Sequence, residues 1–133
     1  MPVQPIKPPE RTDFKIWQQN LRKSMNTSEN MLKNLDPETY NLACIQEPYL
    51  HPINLANASN LRCHWDVLYP LNHHTNPERS QTIILINKRI SKNTWHIVPI
   101  NSLNIMAIDL TGAFSKVHVY NIYNPCDHNN MLH

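Results

Sequence analysis

Long apolar runs are missing from this sequence. None exceeds the four residues of Ile83 to Ile86, far short of the roughly 20 that a membrane-spanning helix needs. The amino-terminal residues Met1 to Glu10 hold Pro2, Pro5, Pro8 and Pro9 but no apolar core, which excludes a signal peptide and predicts an extended, disordered leader over 1–12. Charge of one sign is also lacking. Twelve Lys and Arg against ten Asp and Glu leave a formal net charge of +2, too little for a strong electrostatic footprint on nucleic acid. Three cysteines form an odd set without a Cys-x-x-Cys pair, and the eight histidines stand at no structural zinc spacing. Glycine is almost absent. Gly112 is the sole one, and its place between two strand-like runs predicts a tight hairpin turn at positive φ. A soluble, intracellular protein is expected, with the nucleus among the compartments open to it and no membrane partner.

A hydrophobic content of 41% in 133 residues suffices for one packed domain, expected over 13–133. Its most informative residue is Glu47. The apolar run Leu42-Ala43-Cys44-Ile45 reads as a buried strand, and Pro48, without an N–H, ends it. Glu47 therefore sits at the strand's carboxyl end, the rim at which open α/β sheets bind ligands. A carboxylate there, beside the Gln46 amide, suits a hard cation such as Mg²⁺. Alone, it reads better as a solvated strand-end glutamate.

Two further clusters raise its weight. Asp13 to Asn20 alternates as a half-buried strand, and a helix follows in which Asn26 or Thr27 is the expected cap, Glu29 lies in the first turn, and Met31, Leu32 and Leu35 share a face. Strand, helix, strand with so short a crossover implies two parallel strands, so Asn20 and Glu47 emerge at one rim. Near the other end, Lys116 to Ile122 reads as a strand stopped by Pro125, which leaves Tyr123 and Asn124 at a rim where both can hydrogen-bond phosphate oxygens. Between them, Trp65 to Tyr69, Gln81 to Asn87, Thr94 to Ile100 and Asn104 to Leu110 read as strands. Residues 50–64 fit a loop or a short helix.

Taken in order, Gln19-Asn20, Ile45-Gln46-Glu47-Pro48 and Asn121-Ile122-Tyr123-Asn124-Pro125 resemble the endonuclease/exonuclease/phosphatase superfamily, the fold of deoxyribonuclease I and the apurinic endonucleases. Gln18 to Ser24 and Tyr123 to Asn129 are similar to the endonuclease domain of LINE-type retrotransposons, particularly fungal ones. The resemblance spans residues 13–130. It implies the amino-terminal half of a four-layer α/β sandwich, a mixed β-sheet with a flanking helix. It also implies Glu47 and Asn20 as ligands of Mg²⁺, Asn20, Glu47 and Tyr123 as catalytic residues, and Arg79 and Asn124 as substrate contacts. The DNA phosphate backbone is the implied partner.

Set against that family, the sequence lacks the Asp-x-Asn strand end, the further aspartate and the terminal Asp-His pair that activate and orient the attacking water. Asp127-His128-Asn129 follows Tyr123 too closely to fill those roles. The expectation is part of a Mg²⁺-dependent phosphodiester-cleaving site, inactive alone. The alternatives are a non-catalytic binding module and a phosphodiesterase of another branch completed by a missing segment. If these residues supply mostly one sheet, the face meant for the second is exposed and awaits a partner or missing segment.

Overall fold

The structure, a computed structural model, describes residues 14–48, 59–70, 81–112 and 116–124. The leader, Arg79 and the Asp127-His128-Asn129 stretch lie outside the described residues. Among the described residues seven strands and two α-helices follow one another as β1 (Ile16–Asn20), α1 (Met25–Asn34), β2 (Leu42–Gln46), α2 (Ser59–His64), β3 (Trp65–Leu68), β4 (Thr82–Asn87), β5 (Trp95–Val98), β6 (Ile105–Thr111) and β7 (Lys116–Ile122), with a 3₁₀ turn (Lys92–Thr94) before β5. The fold is α/β with two sheets. No helix among the described residues is long and apolar enough to cross a membrane.

The first sheet has the order β1-β2-β4-β3, with β1 parallel to β2 and the remaining pairs antiparallel; the second is the meander β5-β6-β7. The strands thus divide between two sheets, and the condition on which an exposed packing face was expected, mostly one sheet in these residues, is not met. The two sheets face each other, and Leu42, Cys44, Ile84 and Ile86 of the first pack with Met106, Ile108, Leu110 and Val119 of the second. On the other face of the first sheet, Ala43, Ile45, Ile83 and Leu85 pack against Met31, Leu35 and Leu61 from the helical layer. Strands β2 and β4 are buried along their whole length because both their faces are covered, which is why they read as continuous apolar runs rather than alternating ones.

Helix α1 starts earlier than the sequence suggested. Ser24 is the cap, its Oγ accepting from the Thr27 backbone N–H at 3.2 Å, and no acidic residue lies in the first turn. Ser24 wins because the preceding turn hands it the extended backbone that a cap requires (φ −91°, ψ 126°). The helix stops before Asp36, whose carboxylate accepts from the Glu38 N–H and the Thr39 hydroxyl, at 2.9 and 2.7 Å, an Asx arrangement that competes with helix continuation.

Gly112 also departs from expectation. It does not have positive φ, and the β6–β7 register closes at Thr111 opposite Lys116. Four residues span that connection, too many for a two-residue turn that would impose positive φ. Among the described residues the left-handed ones are Arg22 (φ 52°), Lys23 (φ 55°) and Glu47 (φ 46°). All three are at the rim where β1 and β2 end.

Candidate functional site

Parallel pairing places Asn20 in register with Gln46, one residue before Glu47. The chain leaves β1 through a tight turn in which Ser24 N donates to Leu21 O at 2.9 Å and both central residues, Arg22 and Lys23, have positive φ, the signature of a type I′ turn. This turn is bonded to β2: Leu21 N donates to Gln46 O and Lys23 N to Glu47 O, each at 2.8 Å. On the opposite side, Glu47 N donates to Gln81 O at 2.8 Å. Glu47 is thus held by both backbone groups in a left-handed conformation that costs a non-glycine residue about 1–2 kcal/mol. Strain of that kind persists only where neighbours over-determine it. Here they do, and the result is a half-buried carboxylate aimed off the strand end.

The side chain of Glu47 meets Tyr123. The Tyr123 hydroxyl donates to Glu47 Oε1 at 3.0 Å, across 76 positions of sequence. Tyr123 is positioned by its backbone, whose N–H donates to Asn104 O at 2.7 Å just past the end of β7. The expected convergence of carboxylate and phenol is therefore present. Asn20 stands exposed at the same rim, its Oδ1 accepting from the Arg22 backbone N–H at 2.8 Å. Asn124 is exposed beside Tyr123. Arg79 lies outside the described residues.

Under the rim runs an amide chain that motif reading did not assign. Gln18 Nε2 donates to Gln46 Oε1, and Gln46 Nε2 donates to Asn121 Oδ1. Asn121 Nδ2 in turn donates to Ile45 O at 3.0 Å and Ile83 O at 2.7 Å. Asn121 is 1% exposed and Gln46 6%, so their polar atoms are satisfied by one another, by Gln18 and by the two carbonyls rather than by water. This overturns the reading of the Gln46 amide as a rim group beside the cation. Gln46 points inward and ties β2 to β7, and so ties the sheet that carries Glu47 to the sheet that carries Tyr123. The signal was available in the alternation of β7, where buried Val119 and Asn121 share the inward face: an inward-facing Asn requires partners.

A hard divalent cation takes oxygen ligands, and Mg²⁺ keeps much of its water while using one or two carboxylates. The residues at the rim fit that pattern. Glu47 has a second carboxylate oxygen beyond the one Tyr123 engages, and Asn20 Oδ1 retains a lone pair besides the one Arg22 N–H occupies. Gln81, whose carbonyl binds the Glu47 N–H, has a covered Oε1 without a hydrogen-bond partner among the described residues. The same residues include no group of three or more His, Cys, Asp or Glu placed to hold a metal. The rim is a sparse set of oxygens, not a closed cage.

No protein-family model matches the sequence, and no curated protein matches it. Among solved structures the fold is similar to the endonuclease domain of TRAS1, a telomere-specific non-LTR retrotransposon, with a TM-score of 0.61 and 12% sequence identity. The match covers 90% of this chain and 49% of that one, so the chain spans about half the length of the solved neighbour. At that identity the likeness is one of fold.

Proposed function

We propose that this chain belongs to the deoxyribonuclease I-like superfamily and contributes one part of a Mg²⁺-dependent phosphodiester-cleaving site of retrotransposon endonuclease type. The single observation that supports this most is the Tyr123–Glu47 hydrogen bond, which joins two distant motifs at one strand-end rim. The fold shared with a retrotransposon endonuclease domain supports the same reading.

Glu47 and Asn20 are the residues that would hold the ion. A bound Mg²⁺ supplies Lewis-acid polarisation of the phosphodiester and neutralises charge on the leaving oxygen. The Tyr123 hydroxyl keeps the Glu47 carboxylate in one rotamer and is itself a donor for a phosphate oxygen when that carboxylate is engaged elsewhere. Asn20 Nδ2 and Asn124 offer further donors along the path of a DNA backbone. In-line hydrolysis also needs a base for the attacking water. Among the described residues the only hydrogen-bond partner of the Glu47 side chain is the Tyr123 hydroxyl, so no base among those residues is in contact with this carboxylate. Residues 1–133 alone are accordingly expected to bind metal weakly and not to cleave.

A second reading has its own observation. On the outer face of the three-stranded sheet Tyr120 and Ile122 are 60% and 57% exposed, which favours a binding module that uses that face to hold a partner. Plasmid nicking combined with metal titration separates the two. With Mg²⁺ the chain is expected to leave supercoiled DNA intact while binding the ion in calorimetry, and Glu47→Gln is expected to abolish that binding. Cleavage lost in Glu47→Ala would show the site complete within these residues. Absence of Glu47-dependent metal binding would leave the binding-module reading.

A further inference from the structure

A second groove lies at the other end of the first sheet. Its volume is about 450 Å³, and Arg62, Asp66, Lys88, Lys92 and Trp95 are among the residues that line it. Asp66 is paired across the sheet with Ile86, and Ile86 with Leu42, the first residue of β2. Glu47 follows the last residue of that strand, five residues on from Leu42, so about 16 Å along the strand separates the two places.

Three features of this groove converge. The first is charge: Arg62, Lys88 and Lys92 gather around one carboxylate, Asp66, whose Oδ1 lies 3.9 Å from Lys92 Nζ. That leaves an excess of two positive charges, equal to the formal net charge of the whole chain. The second is polarity without partners. Asp66 Oδ2 and Trp95 Nε1 are both covered, and neither has a hydrogen-bond partner among the described residues. Native proteins rarely leave such groups unpaired, so the wall of the groove is polar beneath its surface. The third is shape, since 450 Å³ lies in the range of small-molecule sites and Trp95 contributes a planar indole to the wall.

We infer that this groove binds a phosphorylated nucleoside, free or as one residue of a single strand. Arg62 and Lys88 take the phosphate, and Trp95 offers a stacking surface to the base. Lys92 holds Asp66 in place as the exposed partner of its other oxygen. A base stacked on an aromatic ring beside cations is a recurrent way of holding unpaired nucleotides. This inference does not rest on the Glu47 site.

The test is calorimetric titration of the full chain with adenosine monophosphate, adenosine, inorganic phosphate and hexathymidylate. Saturable binding of adenosine monophosphate or of hexathymidylate is expected, with adenosine and phosphate each about tenfold weaker or more, because a charge-assisted contact or a stacked base is then lost. Arg62→Ser with Lys88→Ser changes two exposed side chains and is expected to weaken binding about tenfold or more, while Glu47→Gln leaves it unchanged. Trp95→Phe, which keeps a ring and removes the N–H, is expected to weaken it less. Failure of both nucleotide probes to bind, inorganic phosphate binding as tightly as adenosine monophosphate, or indifference to the Arg62/Lys88 change would overturn the inference.

Discussion

Asn121 reaches from β7 in the second sheet to Gln46 in the first, and its amide also donates to the Ile45 and Ile83 carbonyls. The two sheets are therefore joined by a buried polar bridge directly beneath the pair Glu47 and Tyr123, where apolar packing alone would allow them to slide.

Removing that bridge is expected to be costly. Asn121→Ala strands the Gln46 amide in a site closed to water, at about 1–3 kcal/mol, takes the second hydrogen bond from two ladder carbonyls and leaves a cavity, and the combined loss should be about 2–4 kcal/mol. Urea unfolding monitored by tryptophan fluorescence measures it. A loss below about 1 kcal/mol would mean that water replaces the amide and that the sheets do not depend on it.

Tyr123→Phe removes one half-exposed hydrogen bond and leaves the ring in place. Its expected cost is about 1 kcal/mol or less, clearly smaller than that of Asn121→Ala. The same unfolding experiment ranks the two, and the reverse order would place the structural burden on the rim rather than on the bridge.

Glu47 sits at φ 46° with both backbone groups engaged. Glycine adopts that conformation without the Cβ penalty, so Glu47→Gly should be more stable than Glu47→Ala by about 1 kcal/mol. Both variants lack the carboxylate, and neither should bind divalent metal at the rim. Equal stability of the two would show that the left-handed backbone is not strained here.

Acid sensitivity has a definable source on the outer face of the second sheet. Asp109 lies in register with His96 and His118 on its two neighbouring strands. Its carboxylate bonds His118 Nδ1 and approaches His96 Nε2 at 3.3 Å. The hydrogen bond from His118 holds the Asp109 carboxyl below its ordinary value, with lesser help from the charges of His118, Lys116 and His96. A folded-state value below the unfolded one means that Asp109 contributes stability above the ordinary carboxylate range, near pH 4, and that this contribution fades as pH falls through the lower folded value. Asp109→Asn should flatten the fall in melting temperature below about pH 4. An unchanged slope would assign acid unfolding to other carboxylates.

Cys44 needs no such switch. Burial among Ile84, Met106 and their neighbours pushes its thiol up to about 11, so it is an inert core residue, as its place in an apolar run indicated.

The parts of this fold that were legible in the sequence are those that depend on local physics. Pro48 marks the end of β2 whatever packs around it, and the run Ile83 to Ile86 demands burial on both faces, which β4 receives. The strand Lys116–Ile122 has its expected bounds because alternation carries straight through it. What could not be read depends on partners far away. The division of the strands into a four-stranded and a three-stranded sheet follows from which faces meet, and strand periodicity is identical in either case. Ser24 becomes the cap only because the Arg22-Lys23 turn precedes it. The inward swing of Gln46 follows from Asn121, 75 residues on. At the site, the positions of Glu47 and Tyr123 were visible as strand-end residues, but the hydrogen bond between them is a product of the bridge below.

The most direct test of the central claim, that Glu47, Asn20 and Tyr123 form one cation-binding rim, is Mn²⁺ titration followed by nuclear magnetic resonance. Mn²⁺ shares the oxygen preference of Mg²⁺ and broadens nearby resonances. Broadening is expected first at Asn20, Glu47 and Tyr123, and it should vanish in Glu47→Gln while the rest of the spectrum is unchanged. Broadening centred elsewhere, or at Glu47 without Asn20 and Tyr123, would contradict it.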